Sequence, residues 1–452
     1  MLNIKTDSRK VVLGDTFVAL RGYTVDGHNY IEEAIKNGAT KIVCEYGKYD
    51  VDTLIVPDTY CYLKDYLVNN YATNFKNLRI IGVTGTSGKT TTCFLTYQLL
   101  KKLGIKCCYI GTLGFYIDDK IKDLSNTTPN ILELYNLLFT ALDNNIDVVV
   151  MEVSSHAIDL ERIKGLKFSV CAFTNLSRDH LDYHKTMDEY RKCKVKIIDY
   201  LKEDGKIIVN TDSEYSKYFM CPKSLSLGIN GSDYKIIDYK LNSNYTDITF
   251  SCSNTIYDTR INLIGKYNIY NYLTSVGIVN NLGININDII SVSNQVYAPV
   301  GRTEIIKVGN SIAVIDYAHK PDAVSKVTNS FRNIVKGRLI TIVGCGGNRD
   351  KTKRPIMGNI ATENSDYVIF TDDNPRYEES QDIINDILKG VKKDNYIVIN
   401  NRKDAIKYGL ELLKNDDILL ILGKGHEDYQ IIGNKKTHLS DKEEVMKYIS
   451  EN

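Results

Sequence analysis

Apolar residues along this chain fall into short runs, most of them ended by a polar or glycine-rich cluster, and the runs sort into three regions. Up to about residue 77, runs at 11–13, 16–20 and 41–44 alternate with Gly and Asp turns, which predicts a small α/β unit. The second region opens on Leu78-Arg79-Ile80-Ile81-Gly82-Val83-Thr84, a buried-strand pattern, then alternates helical stretches with runs at 147–153, 168–174 and 206–210. That alternation predicts a mostly parallel sheet. Between residues 234 and 264 the pattern shortens to alternating Tyr-, Thr- and Ile-rich strands, predicting antiparallel strands added to that sheet, with a helix following to about residue 281. The third region repeats strand and helix, with runs at 311–315, 338–343, 367–371, 396–399 and 418–422, and predicts a second, doubly wound sheet. The expectation is an α/β protein of three domains, 1–78, 79–300 and 301–452.

Composition agrees with this division. At roughly 150 residues per domain, 452 residues make about three packed units. Hydrophobic residues at 43% and charged residues at 25% supply ample core and exclude disorder as the main state. The net charge of +1 gives no broad attraction for nucleic acid or anionic lipid, so any phosphate binding must be local. The first ten residues carry Lys5, Asp7, Arg9 and Lys10, and no run approaches the roughly 18 apolar residues of a membrane span. A soluble cytoplasmic protein is expected. Ten cysteines without a C-x-x-C pair fit reduced thiols better than disulfides or zinc.

Local phosphate chemistry is written after the strand ending at Thr84, in Gly85-Thr86-Ser87-Gly88-Lys89-Thr90-Thr91 followed by a helical stretch. Glycines let backbone N–H groups approach phosphate oxygens, the helix start adds positive potential, and Lys89 reaches the terminal phosphates. Thr90 is placed to hold Mg²⁺ through its hydroxyl. Val83 stands where the strict G-x-x-x-x-G-K-[ST] pattern has its first Gly, so the loop is a variant. ATP binding is expected, and the middle domain is expected to be a P-loop domain. Polar clusters at 316–319, 344–350, 372–376 and 423–427 mostly follow apolar runs directly, where a Rossmann-like sheet places its ligands.

A second cluster starts where residues 148–151 end in Glu152, placing a carboxylate at a strand end as a candidate Mg²⁺ ligand. Composition alone leaves Glu152 equally a solvated strand end and His156 a helix cap. The next run leads into Thr174-Asn175-Leu176-Ser177-Arg178-Asp179-His180-Leu181-Asp182-Tyr183-His184, dense in ionisable groups for so short a loop.

This loop, the segment 85–91 and the segment 151–156 together resemble the Mur ligases of bacterial cell-wall synthesis, and the likeness runs along the whole chain. Asp7-Ser8-Arg9, Phe17-Val18-Ala19, Asp26-Gly27-His28 and Asn126-Thr127-Thr128-Pro129 resemble the branch that adds the third peptide residue to UDP-N-acetylmuramoyl-L-alanyl-D-glutamate. The resemblance implies a lysine carbamylated by CO₂ at Lys194, with Lys192 and Lys196 as rivals; from the lysine-rich segment alone it is an ordinary helix-surface residue. It further implies that the carbamate joins Glu152 and His180 around a second Mg²⁺, and that Asn268, Asn271, Arg302 and Asp316 contact ATP. Uridine and muramoyl binding is carried over to Ser8, His28, Thr127, Thr128, Ser155 and Arg162, although Thr128-Pro129 is equally a plain helix start.

The implied reaction is ATP-dependent amide formation through an acyl phosphate on the D-Glu side chain. Asp373-Asn374-Pro375-Arg376 resembles the signature of the enzymes that add meso-diaminopimelate, with Arg349, Gly423 and Glu427 around the same ligand. A guanidinium at 376 can clamp the extra carboxylate of diaminopimelate with two parallel hydrogen bonds, whereas lysine would bring an ammonium towards it. The expected partners are thus three small molecules, the UDP-muramoyl dipeptide, meso-diaminopimelate and ATP, bound by a monomer. Two positions depart from the family pattern: Lys185, often Gly, and Leu160, Gln in some members. The competing expectations are an L-lysine-adding relative, a folylpolyglutamate synthetase, and a P-loop ATPase or ATP sensor that ligates nothing.

Overall fold

The computed structural model describes residues 2–22, 25–242 and 244–452. The chain folds into two compact units, the first of Met1–Thr84, Ile105–Cys171 and His184–Gly205, the second of Gly85–Gly104, Ala172–Tyr183 and Lys206–Asn452.

In the first unit, Ile4–Lys5, Thr16–Val18, Lys41–Cys44 and Asp52–Ile55 pair in parallel in that order. Phe17, Ala19, Ile42 and Cys44 form a core with Ile31 and Ala34 of a short helix. The apolar run at 11–13 is a loop: Val11 is buried in that core, while Val12 and Leu13 are 61% and 86% exposed. A second sheet pairs Arg79–Thr84 with Val148–Glu152 and that strand with Cys107–Gly111, all in parallel. Gly114–Ile117 and Asp119–Lys122 then turn back antiparallel, a meander the alternation of strands and helices did not announce. The helix Ile131–Asp143 starts on an Asn130 side-chain cap and buries Leu134, Tyr135 and Leu138.

Lys185, in the same unit, adopts φ 63°. A β-carbon in that region costs about 1–2 kcal/mol, of which glycine's greater unfolded freedom offsets about 0.5–1. Lys185→Gly is therefore expected to stabilise by up to about 1 kcal/mol, seen as a higher urea midpoint; a lower midpoint would contradict the strain.

In the second unit, residues 207–210 pair in parallel with 224–227, and Tyr234–Leu241, Thr246–Cys252 and Thr255–Ile261 continue antiparallel, as expected. The helix Lys266–Asn280 follows. The last sheet has six strands, in the order Glu304–Val308, Ser311–Asp316, Ile418–Leu422, Leu339–Val343, Tyr367–Phe370, Tyr396–Val398. All pairs but the first are parallel. Alternate residues point to opposite cores: Val314, Leu420, Val343 and Phe370 to one, Ala313, Leu419, Ile342 and Ile369 to the other. Helices cover both faces, which makes the sheet doubly wound. It places the loops after its strands at one end, where the clusters 316–319, 344–350, 372–376 and 423–427 lie.

Candidate active site

The phosphate loop is held from both sides. Gly88, at φ 85°, caps the helix Lys89–Lys102, and a β-carbon there would stand 2.5 Å from Asn271 Oδ1. Glycine is required on both counts. Asn271 also donates to Asn268 Oδ1 at 3.0 Å, so the two asparagines act as buried props of the loop. From the other side Thr174 Oγ1 and Asn175 Nδ2 donate to the Ser87 carbonyl at 2.6 and 3.0 Å, while Asn175 accepts from the Ser87 and Thr86 amides. Lys89 folds back onto the Gly85 and Thr86 carbonyls at 3.0 and 3.1 Å, and Thr90 and Thr91 are buried beside it. The segment 174–177 was legible as a dense polar loop, but its buttressing of Ser87 was not.

His180, at φ 51°, lies with Nε2 3.1 Å from Asp179 Oδ2, and Asp179 pairs in turn with Lys320. Burial pushes the Asp179 carboxyl up, but Lys320 and His180 together hold it at about 2. An ionised Asp179 therefore orients an imidazole that remains partly open to solvent.

In the first unit, Glu152 is fully buried at the end of its strand. It accepts from Tyr109 Oη at 2.6 Å and from the Thr112 amide at 2.8 Å on Oε1, and from Thr112 Oγ1 at 3.2 Å on Oε2. Thr112 also meets Thr127 at 3.1 Å, Thr128 donates to the Glu152 carbonyl at 2.9 Å, and Arg162 donates to the Thr128 carbonyl at 2.9 Å. Thr127, Thr128 and Arg162 are thus linked to the end of this strand through Thr112 and the backbone carbonyls of Glu152 and Thr128. Among the described residues no three His, Cys, Asp or Glu side chains form a ready metal group.

Ser155 is buried, its Oγ 2.9 Å from His184 Nε2, and the neighbouring Ser154 caps the short helix, its Oγ accepting the Ala157 amide at 3.1 Å. Ser8 donates to Glu33 at 2.7 Å. His28 has Nδ1 on Asp26 at 2.7 Å and accepts the Glu45 amide on Nε2 at 3.0 Å, which leaves its stacking face with Tyr46 rather than a ring nitrogen.

Lys194 is 1% exposed, with Nζ 4.9 Å over the Tyr190 ring. Lys192 is exposed and pairs with Asp188 at 2.7 Å, and Lys196 is exposed as well. Burial, which the local sequence could not supply, thus separates the three lysines. His184, absent from the expected site, packs on Tyr190 at 5.1 Å and is held neutral by burial and by His156.

At the end of the last sheet, Arg302 stacks over Tyr317 at 4.3 Å, and among the described residues its buried Nε has no hydrogen-bond partner. Asp316 accepts from the Thr303 amide and hydroxyl at 2.7 and 3.0 Å, and burial raises its carboxyl. Asn374 donates to Glu427 Oε2 at 3.0 Å and accepts the Ile431 amide at 2.9 Å. Burial, and then Asp373, push the Glu427 carboxyl up, while Lys424, fully buried 3.6 Å away, opposes them. Gly423 closes on Asp373, Pro375 is buried between them in sequence, and Arg349 is exposed at the rim of the loop.

Arg376 adopts φ 54° and is pinned by two backbone bonds to the hairpin of Tyr429–Ile432 and Lys435–His438, its amide to Ile431 at 2.9 Å and its carbonyl from Gly433 at 2.6 Å. Nη1 donates to the Gly347 carbonyl at 2.9 Å; among the described residues Nε and Nη2 make no hydrogen bond. One corner of the guanidinium is anchored and the edge carrying two donors is left open.

Comparison with known proteins shows the family. Residues 2–60 match the Mur ligase family, catalytic domain, residues 83–279 the Mur ligase middle domain, and residues 301–425 the Mur ligase, glutamate ligase domain. A Clostridium acetobutylicum protein named UDP-N-acetylmuramoyl-L-alanyl-D-glutamate--2,6-diaminopimelate ligase 1 is 40% identical, covering 99% of this chain and 95% of its own length. A Fusobacterium nucleatum protein of the same name, without the numeral, is 42% identical over 97% of this chain and 92% of its own. A solved structure of a ligase of that name superposes with a TM-score of 0.70 at 29% identity, covering 99% of this chain and 94% of that one. The MurF ligase from Thermotoga maritima in complex with ADP shares the fold, with a TM-score of 0.71 at 20% identity over 99% of this chain and 97% of that one. Three domain patterns matched in order, and relatives at this identity over nearly the whole length, show that the chain belongs to the Mur ligase family.

Proposed function

We propose that the chain joins meso-diaminopimelate to the D-Glu side-chain carboxylate of UDP-N-acetylmuramoyl-L-alanyl-D-glutamate at the expense of ATP, in the cytoplasm, as a step of peptidoglycan synthesis. We assign residues 1–78 to the UDP-muramoyl substrate, 79–300 to ATP and 301–452 to the amino acid. In the first step a carboxylate oxygen of D-Glu attacks the γ-phosphorus and ADP leaves. In the second, the amino nitrogen of diaminopimelate attacks the acyl carbon, the C–O bond breaks, and phosphate and a proton depart.

Neither step needs a protein nucleophile; the work is positioning and charge neutralisation. Lys89 and the loop 85–91 are assigned to the phosphates. Arg302 fits the nucleotide because a buried guanidinium nitrogen is left without a partner among the described residues. Asn268 and Asn271 hold the loop that receives it. The oxygen-rich donors Thr90, Glu152 and Lys194 as its carbamate, with His180, suit Mg²⁺, a hard cation, and we assign them to two ions. When bound, Mg²⁺ neutralises phosphate charge. Ser8, His28, Thr127, Thr128, Ser155 and Arg162 are assigned to the UDP-muramoyl side.

The observation that carries the substrate choice is the open two-donor edge of Arg376, anchored through Gly347 and set beside Asn374 and Glu427. The edge matches a carboxylate and the Glu427 side an ammonium, and diaminopimelate offers both at its far end. Phosphate release with ATP, Mg²⁺, the muramoyl dipeptide nucleotide and diaminopimelate tests the reading: release is expected only when both acceptors are present. Release independent of both would make the chain an ATPase, and faster turnover with L-lysine would reassign the amino acid.

A further inference from the structure

One aromatic residue touches both ligand subsites of the last sheet. Tyr317 follows the strand Ser311–Asp316 and lies under the Arg302 guanidinium, 4.3 Å from ring centroid to Cζ. Its hydroxyl donates to Glu427 Oε1 at 3.3 Å. Burial and the neighbouring Glu427 push the phenol up, so it stays protonated and remains a donor. The ring is flanked on two sides. His319 and His426 pack against it at 4.6 and 5.1 Å, and Gly425 lies so close that a β-carbon there would stand 2.7 Å from Tyr317 Cβ.

The carboxylate it reaches is otherwise fixed at one oxygen only. Asn374 donates to Oε2 at 3.0 Å, and Tyr317 donates to Oε1. Lys424 Nζ also stands 3.6 Å from Oε2, so Tyr317 is the donor that fixes the Oε1 side, and with both oxygens held the plane of Glu427 is set. The same ring supplies the surface on which Arg302 rests, and an arginine laid on an aromatic face keeps its donor edge free for a phosphate.

We infer that Tyr317 is a positioning residue that serves both subsites, its hydroxyl aiming Glu427 at the distal ammonium of the incoming amino acid and its ring supporting Arg302 for the nucleotide. The inference rests on the function proposed above. It divides one side chain into two separable parts, and two substitutions take it apart. Tyr317→Phe keeps the ring and removes the hydroxyl. Tyr317→Leu removes both.

The test is steady-state kinetics of wild type, Tyr317→Phe and Tyr317→Leu, with ATP and diaminopimelate varied separately and folding followed by the thermal midpoint. Tyr317→Phe is expected to raise KM for diaminopimelate roughly ten-fold, with KM for ATP and kcat within about two-fold of wild type. Tyr317→Leu is expected to raise KM for ATP roughly ten-fold as well. A folded Tyr317→Phe with an unchanged KM for diaminopimelate, or with both KM values raised alike, overturns the inference while leaving the function standing. A wild-type protein that releases no phosphate with diaminopimelate overturns both. Should Tyr317→Leu fail to fold, Tyr317→Phe decides the hydroxyl's part and Tyr317→Met, which fills the space without an aromatic face, decides the ring's; a folded variant without the ring whose KM for ATP stays at the wild-type value overturns that part.

Discussion

Lys194→Ala is expected to lower the ligation rate by about 10²- to 10³-fold, the loss usual when one charged group at a developing charge is removed. Acetate or propionate should restore part of the rate and added bicarbonate none. Lys194 is 1% exposed and its Nζ sits 4.9 Å over Tyr190. The amine nitrogen adds to CO₂, losing a proton as the N–C bond forms. The product is an anion fixed on a helix that packs against the short helix carrying Ser155, where Cys193 donates to the Ser155 carbonyl at 3.2 Å and Ser155 meets His184. Lys192 and Lys196, both exposed, should tolerate alanine with rates within about two-fold of wild type. A carbamate resonance from ¹³C-bicarbonate, present in wild type and absent in Lys194→Ala, supplies a readout apart from turnover. Wild-type rate from Lys194→Ala would remove the carbamate from the mechanism.

What distinguishes Lys194 from its neighbours also marks the limit of the sequence. The phosphate loop was readable because its chemistry is local: glycines, lysine and helix start are consecutive, and Gly88 is demanded by its own backbone. The parallel sheets were readable because strands buried on both faces leave unbroken apolar runs, and the runs at 311–315 and 418–422 end within a residue of the observed strands. A run as short as 11–13 carries less: only Val11 is buried and the residues form a loop. Which lysine of 192, 194 and 196 is buried depends on how one helix packs against another, and that Ser155 faces His184 depends on a contact 29 residues apart. Tyr317 and Lys424 were passed over for the same reason. Their partners, Glu427 and Tyr429 among them, are set by loops meeting at a sheet end rather than by spacing.

Arg376 is where a single substitution should move specificity rather than rate. Arg376→Lys is expected to raise KM for diaminopimelate about ten- to a hundred-fold, because a lysine cannot offer two parallel donors to one carboxylate and a charge-assisted hydrogen bond is worth about 1.5–3 kcal/mol. With Arg376→Ala the cation itself is gone, and the ratio of kcat/KM for diaminopimelate over L-lysine should fall further, because repulsion of the lysine ammonium disappears with the attraction. The backbone sharpens the test. Arg376 holds φ 54° against a cost of about 1–2 kcal/mol, pinned by Ile431 and Gly433 of the hairpin. Arg376→Gly relieves that strain and removes the guanidinium together, so it should be at least as stable as Arg376→Ala yet equally poor at choosing diaminopimelate. Stability and selectivity would then separate: thermal midpoints ordered by backbone preference, substrate ratios by the presence of the guanidinium. If Arg376→Ala kept the wild-type ratio, the open edge beside Asn374 and Glu427 would not be what reads the second carboxylate, and the amino-acid assignment would fall while the nucleotide site remained.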